Sequence, residues 1–168
     1  MQPNLNTVSE FYRGYVECTN QTPLMEQFNQ SIHQLSFIMD GLNGEKADYR
    51  YLESKWSLKE MFQHIIDAEC IFSYRALCIS RGERQKLPSM DQDEYVMRSD
   101  ASSRELKSLK REFLSLLEST ILMFSSFSEE QWRSKGWVGP FEFTVSMLGY
   151  IIVDHLNHHV NIIESRYI

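Results

Sequence analysis

Leu106, Leu109, Phe113, Leu116, Leu117, Thr120 and Phe124 follow one another at three- and four-residue intervals, the spacing that draws one apolar stripe along an α-helix. Such a stripe is stable only when other apolar surface covers it. Three further stretches share this helical character and carry start signals. One begins at Thr22-Pro23, an N-cap followed by proline where the missing N–H costs nothing, and runs to about Asp40, before Gly41 and Gly44. A second starts at Ser57, where Ser57 and Glu60 have the spacing of a capping box and Trp56 can staple onto Met61; it continues to Gly82. The stripe helix itself opens near Ser102, with Glu105 as partner in another capping box. Ser128 to Trp132 reads as a short helical turn, and a last helix spans about Thr144 to Glu164.

Between these lie a polar loop with Pro88, from Glu83 to Asp100, and a turn or loop from Gly136 to Pro140. No segment alternates convincingly at the strand period. Four helices of about 18 to 26 residues predict an all-α four-helix bundle. One domain accounts for residues 1–168, because a chain of this length makes one core rather than two. The signals before Thr22 are weaker, with a short turn expected at Glu10 to Tyr15.

Charge and cysteine usage narrow the function classes. A net charge of −6 without any Lys/Arg block argues against a phosphate-binding surface, so nucleic-acid binding is not expected. No charged stretch followed by an apolar one opens the sequence, and no apolar run reaches bilayer-spanning length. The expected setting is cytoplasmic, without membrane contact. Cys18, Cys70 and Cys78 are odd in number, and the last two are too far apart along one helix to bridge. Reduced, packed thiols are expected.

The chemistry is concentrated in histidines. His155 and His159 are four residues apart, one helical turn, and lie on the same face as Leu148, Ile151, Ile152, Ile162 and Ile163. His64 lies on the second helix, on a mixed face with Ser57, Glu60, Met61, Asp67, Ala68 and Ile71. Three neutral imidazoles from two helices match the protein shell of a catalytic zinc-type site, which keeps one position open. Equally, a histidine on a half-buried helical face can be no more than a hydrogen-bonded core residue. His158 points about 100° away from His159 and is a reserve ligand at the rim. His33 has no partner in sequence. Asp67 and Glu60, one turn either side of His64, are candidates to orient its ring or to move protons beside a bound water; for Glu60 the capping box is a competing use. The Glu-x-x-His pattern of carboxylate-bridged metal pairs and the His-Glu-x-x-His of zincins are both absent. Trp132, Trp137 and Phe141 flank the glycine loop; two readings are open, the lining of a pocket mouth and core packing, of which core packing is the one expected.

The run Trp56-Ser57-Leu58-Lys59-Glu60, then His64-Ile65-Ile66-Asp67-Ala68-Glu69 and Tyr74-Arg75-Ala76-Leu77, resembles the second helix of the DinB/YfiT-like metalloenzyme family. Asp154-His155-Leu156-Asn157-His158-His159 resembles its last-helix motif, with the polar loop at Leu87-Pro88 between them. This family is distinct from the translesion polymerase that shares the DinB name. The resemblance implies a four-helix bundle whose His64, His155 and His159 hold a divalent metal, zinc or nickel, and it implies a homodimer. It also implies small-molecule chemistry with a low-molecular-weight thiol, the favoured version being a bacillithiol-type S-transferase. A metal-dependent hydrolase, or a non-catalytic bundle that binds or senses metal, are the alternatives.

Overall fold

The computed structural model describes residues 23–42 and 44–168. The turn expected at Glu10 to Tyr15, the Thr22 cap and Cys18 lie outside the described residues. In chain order the elements are α1 (Leu24–Gly41), α2 (Gly44–Ala47), α3 (Leu58–Ser80), α4 (Gln92–Arg98), a 3₁₀ turn (Ala101–Ser103), α5 (Leu106–Ser125), α6 (Glu129–Arg133), β1 (Lys135–Val138), β2 (Phe141–Thr144) and α7 (Val145–Arg166). The long helices α1, α3, α5 and α7 form the expected four-helix bundle. α1 and α3 each pack on both α5 and α7, so they lie on opposite corners.

Local chemistry explains most boundaries. At the start of α3 the Ser57 hydroxyl accepts from the Glu60 N–H, and the Glu60 carboxylate accepts from the Ser57 N–H at 2.7 Å, a complete capping box. Ser128 and Gln131 repeat the device on α6. Thr144 caps α7 by accepting from the Met147 N–H at 3.1 Å. The stripe on α5 buries Leu109, Phe113, Leu117, Thr120 and Phe124, while Leu106 and Leu116 pack along its edge. Phe28, Phe62, Phe113 and Phe124 are wholly buried and fill the centre. Among the described residues, no helix is long and apolar enough to cross a membrane. Cys70 and Cys78 are free thiols; Cys78 is half-buried, but Cys70 is exposed rather than packed as expected.

Several local expectations are corrected. Pro23 is itself the N-cap of α1, with extended ψ of 139°, rather than its first helical residue. The capping box at Ser102 does not form, because Asp100 adopts a left-handed φ of 51° and Ser102 is consumed in the following 3₁₀ turn. Arg104 is then extended, and Glu105 becomes the N-cap of α5 without a side-chain bond. The polar loop contains α4, nucleated by the Asp91 carboxylate accepting from the N–H groups of Asp93 and Glu94, both at 3.1 Å.

The largest correction is the hairpin. β1 and β2 pair antiparallel with Val138 opposite Phe141, leaving Gly139-Pro140 as a two-residue turn. Gly139 has φ of +53°, as the first position of a type II′ turn requires. The hairpin also fastens the long loop, since the Leu87 N–H donates to Trp137 O at 2.8 Å and the Gly139 N–H to Leu87 O at 2.9 Å. Its inward residues are Gly136, Val138 and Phe143. A Cβ on Gly136 would sit 2.6 Å from Cγ1 of the buried Ile79. Replacing Gly136 by alanine should therefore lift the hairpin from α3 and cost about 1–3 kcal/mol, read from the midpoint of chemical unfolding; an unchanged midpoint would contradict this packing.

Candidate metal centre

The bundle places His64 on α3 opposite His155 and His159 on α7, and their ring nitrogens converge. His155 Nε2 lies 3.0 Å from His64 Nε2 and 3.1 Å from His159 Nε2, and one ligand atom from each ring falls within 4.8 Å of the others. Aromatic neighbours hold the rings: Trp56 packs on His64 with centroids 4.8 Å apart, and Phe72 meets His155 nearly edge-on at 5.8 Å. Trp56 is fixed in turn by the Tyr167 hydroxyl, which donates to its carbonyl at 2.6 Å. Trp56 was legible in the sequence as a staple and as part of the family-like run, not as a support for His64, and Phe72 carried no signal at all.

Burial controls the charge of the three rings. It lowers His64 to about 4, with a smaller contribution from His158, and His159 to about 3. His155 is also held well below the ordinary histidine range, chiefly by burial and then by its histidine neighbours. All three are thus neutral at pH 7, the form that offers a lone pair to a cation. The Nδ1 atoms of His64 and His159 are buried without a hydrogen-bond partner among the described residues. Each such orphan costs about 1–3 kcal/mol, so this cluster is not an arrangement favoured by folding stability alone.

The donor set fits a divalent ion. Metal–nitrogen bonds of 2.0–2.1 Å at tetrahedral angles put neighbouring nitrogens about 3.3–3.4 Å apart, within a few tenths of an ångström of the observed 3.0 and 3.1 Å.

The other candidates are placed elsewhere. Glu60 is committed to its capping box and to Arg50, whose guanidinium lies 2.6 Å away. Asp67 accepts from the Gln63 carboxamide at 2.8 Å and lines an open cleft with Cys70, Arg98 and Arg104. With His64 Nδ1 unpartnered, the expectation that Glu60 or Asp67 orients that ring is corrected: closer polar groups on their own helix capture both carboxylates. His158 is exposed, its ring 5.2 Å from His159, and it is not one of the converging group. His33 is exposed on α1.

Two cavities reach the histidines from different sides. One, of about 280 Å³, is bounded by His64 and His155 with Ala68, Phe72, Met90, Val138 and Phe141. Phe141, expected in the core, is 40% exposed and forms part of this wall, and Trp137 is 43% exposed; only Trp132 packs inward, on Phe124 and Phe127. Strand alternation turns Trp137 outward beside Glu142, whereas Phe141 shares the inward face with its partner Val138 and, at the end of the hairpin, borders the cavity with it. The other cavity, of about 400 Å³, is bounded by His158 and His159 with Tyr51, Lys55, Trp56, Asp93 and Tyr167. Gln92, at the start of α4, borders both.

A family model, the DinB superfamily, matches residues 27–163. Among solved structures, YfiT from Bacillus subtilis, described as a probable metal-dependent hydrolase with an unusual four-helix bundle topology, superposes with a TM-score of 0.75 at 12% identity, covering 98% of this chain and 90% of that one. A mycothiol-dependent maleylpyruvate isomerase superposes with a TM-score of 0.69, also at 12% identity, over 83% of this chain and 60% of that one. At such identities the likeness is one of fold. No curated protein matches the sequence.

Proposed function

The chain belongs to the DinB superfamily, and from that premise we propose that it is a metal-dependent enzyme whose divalent cation, zinc or nickel, is held by His64, His155 and His159. The observation that carries this reading is the convergence of three uncharged imidazoles from two helices, with Nε2 separations of 3.0 and 3.1 Å. A cation so held supplies Lewis acidity and lowers the pKa of a thiol or water brought to its remaining position, to about 7 for water in good catalytic sites. The protein supplies the rest. Burial keeps the imidazoles neutral, Trp56 and Phe72 fix their orientation, and the apolar wall of Phe72, Met90, Val138 and Phe141 receives the carbon body of a substrate and keeps water off it.

The activity assigned is thiol-dependent group transfer, with a low-molecular-weight thiol of the bacillithiol type. A sulfur–carbon bond forms at an electrophilic carbon, the leaving group departs with the electrons of the broken bond, and the thiol proton passes to solvent. A second reading is hydrolysis of an ester or amide at the same site. It draws on the Ser89 hydroxyl and Gln92 carboxamide in the cavity wall, groups able to donate to a developing oxyanion.

Metal analysis followed by a screen of several thiols against several electrophiles tests the proposal. The expected result is one bound divalent ion per chain and product formation that needs both metal and thiol. Turnover with metal but without thiol would establish the hydrolase instead. Bound metal that alters assembly or shape without supporting turnover would overturn the enzymatic reading in favour of a sensor.

A further inference from the structure

The histidines stand between two cavities of opposite chemical character. On the His64 and His155 side the wall is predominantly apolar, and its one charged residue, the buried Arg75, donates to the Pro88 carbonyl at 2.7 Å. On the His159 side it carries Lys55 and Asp93, charges of opposite sign, over an aromatic floor of Trp56 and Tyr167. Both charged residues are exposed, and neither the Lys55 ammonium nor the Asp93 carboxylate has an ion pair or side-chain hydrogen bond among the described residues, unlike Lys59, Lys110 and Lys135, which all pair with acids. Hydrolysis needs one organic substrate and a water, which occupies only about 30 Å³. The second cavity, at about 400 Å³, is large enough for a second organic molecule.

We propose that the His159-side cavity is the subsite of a small zwitterionic co-substrate, whose carboxylate is received by Lys55 and whose ammonium is received by Asp93, while the acceptor occupies the apolar cavity opposite. This assignment rests on the metal-dependent transfer reading for its chemistry, but the subsite itself is defined by groups that are not metal ligands. A zwitterion is selected over either half because each charge on the wall then meets its complement, and like-charge approach disfavours the wrong orientation. Gln92, bordering both cavities, is placed to touch both molecules.

The test uses thioethers, which bind metals too weakly to strip them: S-methyl-L-cysteine, 2-(methylthio)ethylamine, which lacks the carboxylate, and 3-(methylthio)propionate, which lacks the ammonium. Each is titrated by NMR, following the Trp56 indole resonance, into metal-free and zinc-loaded protein. The zwitterion should bind about threefold or more tighter than either half. Lys55→Ala should bring it to the affinity of the amine, and Asp93→Ala to that of the acid, without altering either half-probe that lacks the affected charge. Equal binding of the three probes, no binding, or an unchanged order in both variants would overturn the subsite. Because both residues are exposed, the variants should fold normally, as thermal unfolding will report. Zinc stoichiometry, measured in parallel, judges the metal reading separately: its failure leaves the metal-free titration to decide the subsite, and a failed subsite leaves the zinc result standing.

Discussion

Replacing His155 by alanine is expected to abolish stoichiometric zinc binding while leaving helical content unchanged. His155 is the hub of the cluster, because its Nε2 is the atom that lies 3.0 Å from one partner and 3.1 Å from the other. A zinc site worth roughly 10–16 kcal/mol divides among three ligands into about 3–5 kcal/mol each, so loss of one lowers affinity by about 10²- to 10⁴-fold. The helix should tolerate the change, since alanine is the best helix former and the core around it is supplied by Ile151, Ile152, Leu156 and Val160. His158→Ala is the matched control: its ring is exposed and lies outside the converging group, and zinc stoichiometry should not move. Competition with a chelator of known affinity makes both measurements. Full-affinity binding retained by His155→Ala would remove His155 from the ligand set.

The second large effect lies outside the site. Glu69 is 4% exposed between α3 and α5, hydrogen-bonded by the Ser73 hydroxyl at 3.0 Å, which also bonds the Thr120 hydroxyl at 2.8 Å. Burial raises its carboxyl from 4.5 to about 7, outweighing the hydrogen bonds from Thr120 and Ser73 that lower it. A raised folded-state value means that the folded protein keeps a proton that the unfolded chain releases between about pH 4.5 and 7. Stability from this group is therefore present below 4.5 and is lost as pH rises towards 7. The loss comes to about 3 kcal/mol, taking roughly 1.4 kcal/mol per pKa unit.

Glu69→Gln cannot ionise and retains acceptor and donor atoms for Ser73 and Thr120. The variant should match the native protein near pH 4.5 and exceed it by about 3 kcal/mol at pH 8, read as the difference between urea unfolding curves. The depressed histidines act with the opposite sign, since the unfolded chain takes up protons below about pH 6.5 that the buried rings refuse. They are common to both proteins and cancel in the difference. A pH-independent difference would show that Glu69 is not the titrating group.

The histidine cluster and Glu69 are polar features of one bundle that differ in how far the sequence announces them. His155 and His159 declare a shared face by their spacing alone, and His64 needs only a second helix to meet them. Glu69 gives no such sign: in sequence it is one more acidic residue on a helix, and its burial follows from the packing of α5 on α3, which brings Thr120 against Ser73. Glu60 and Asp67 show the opposite limit. Helical periodicity puts both near His64, but the Ser57 N–H and the Gln63 carboxamide are nearer still, and short-range hydrogen bonding decided their direction.

By itself the sequence determined the four apolar stripes, the capping box at Ser57, the short helical turn from Ser128, the bundle they imply, and the one-turn spacing of His155 and His159, because each depends on contacts within a few residues. Tertiary structure decided what depends on distant partners. The hairpin was hidden because an inward position is Gly136, a residue with no side chain to register the strand period, which the nearness of Ile79 requires. The aromatic rests of His64 and His155, the two unlike cavities and the place of Phe141 in a cavity wall exist only once α3, α7, the long loop and the hairpin are packed together, since no spacing along one helix encodes the surface of another.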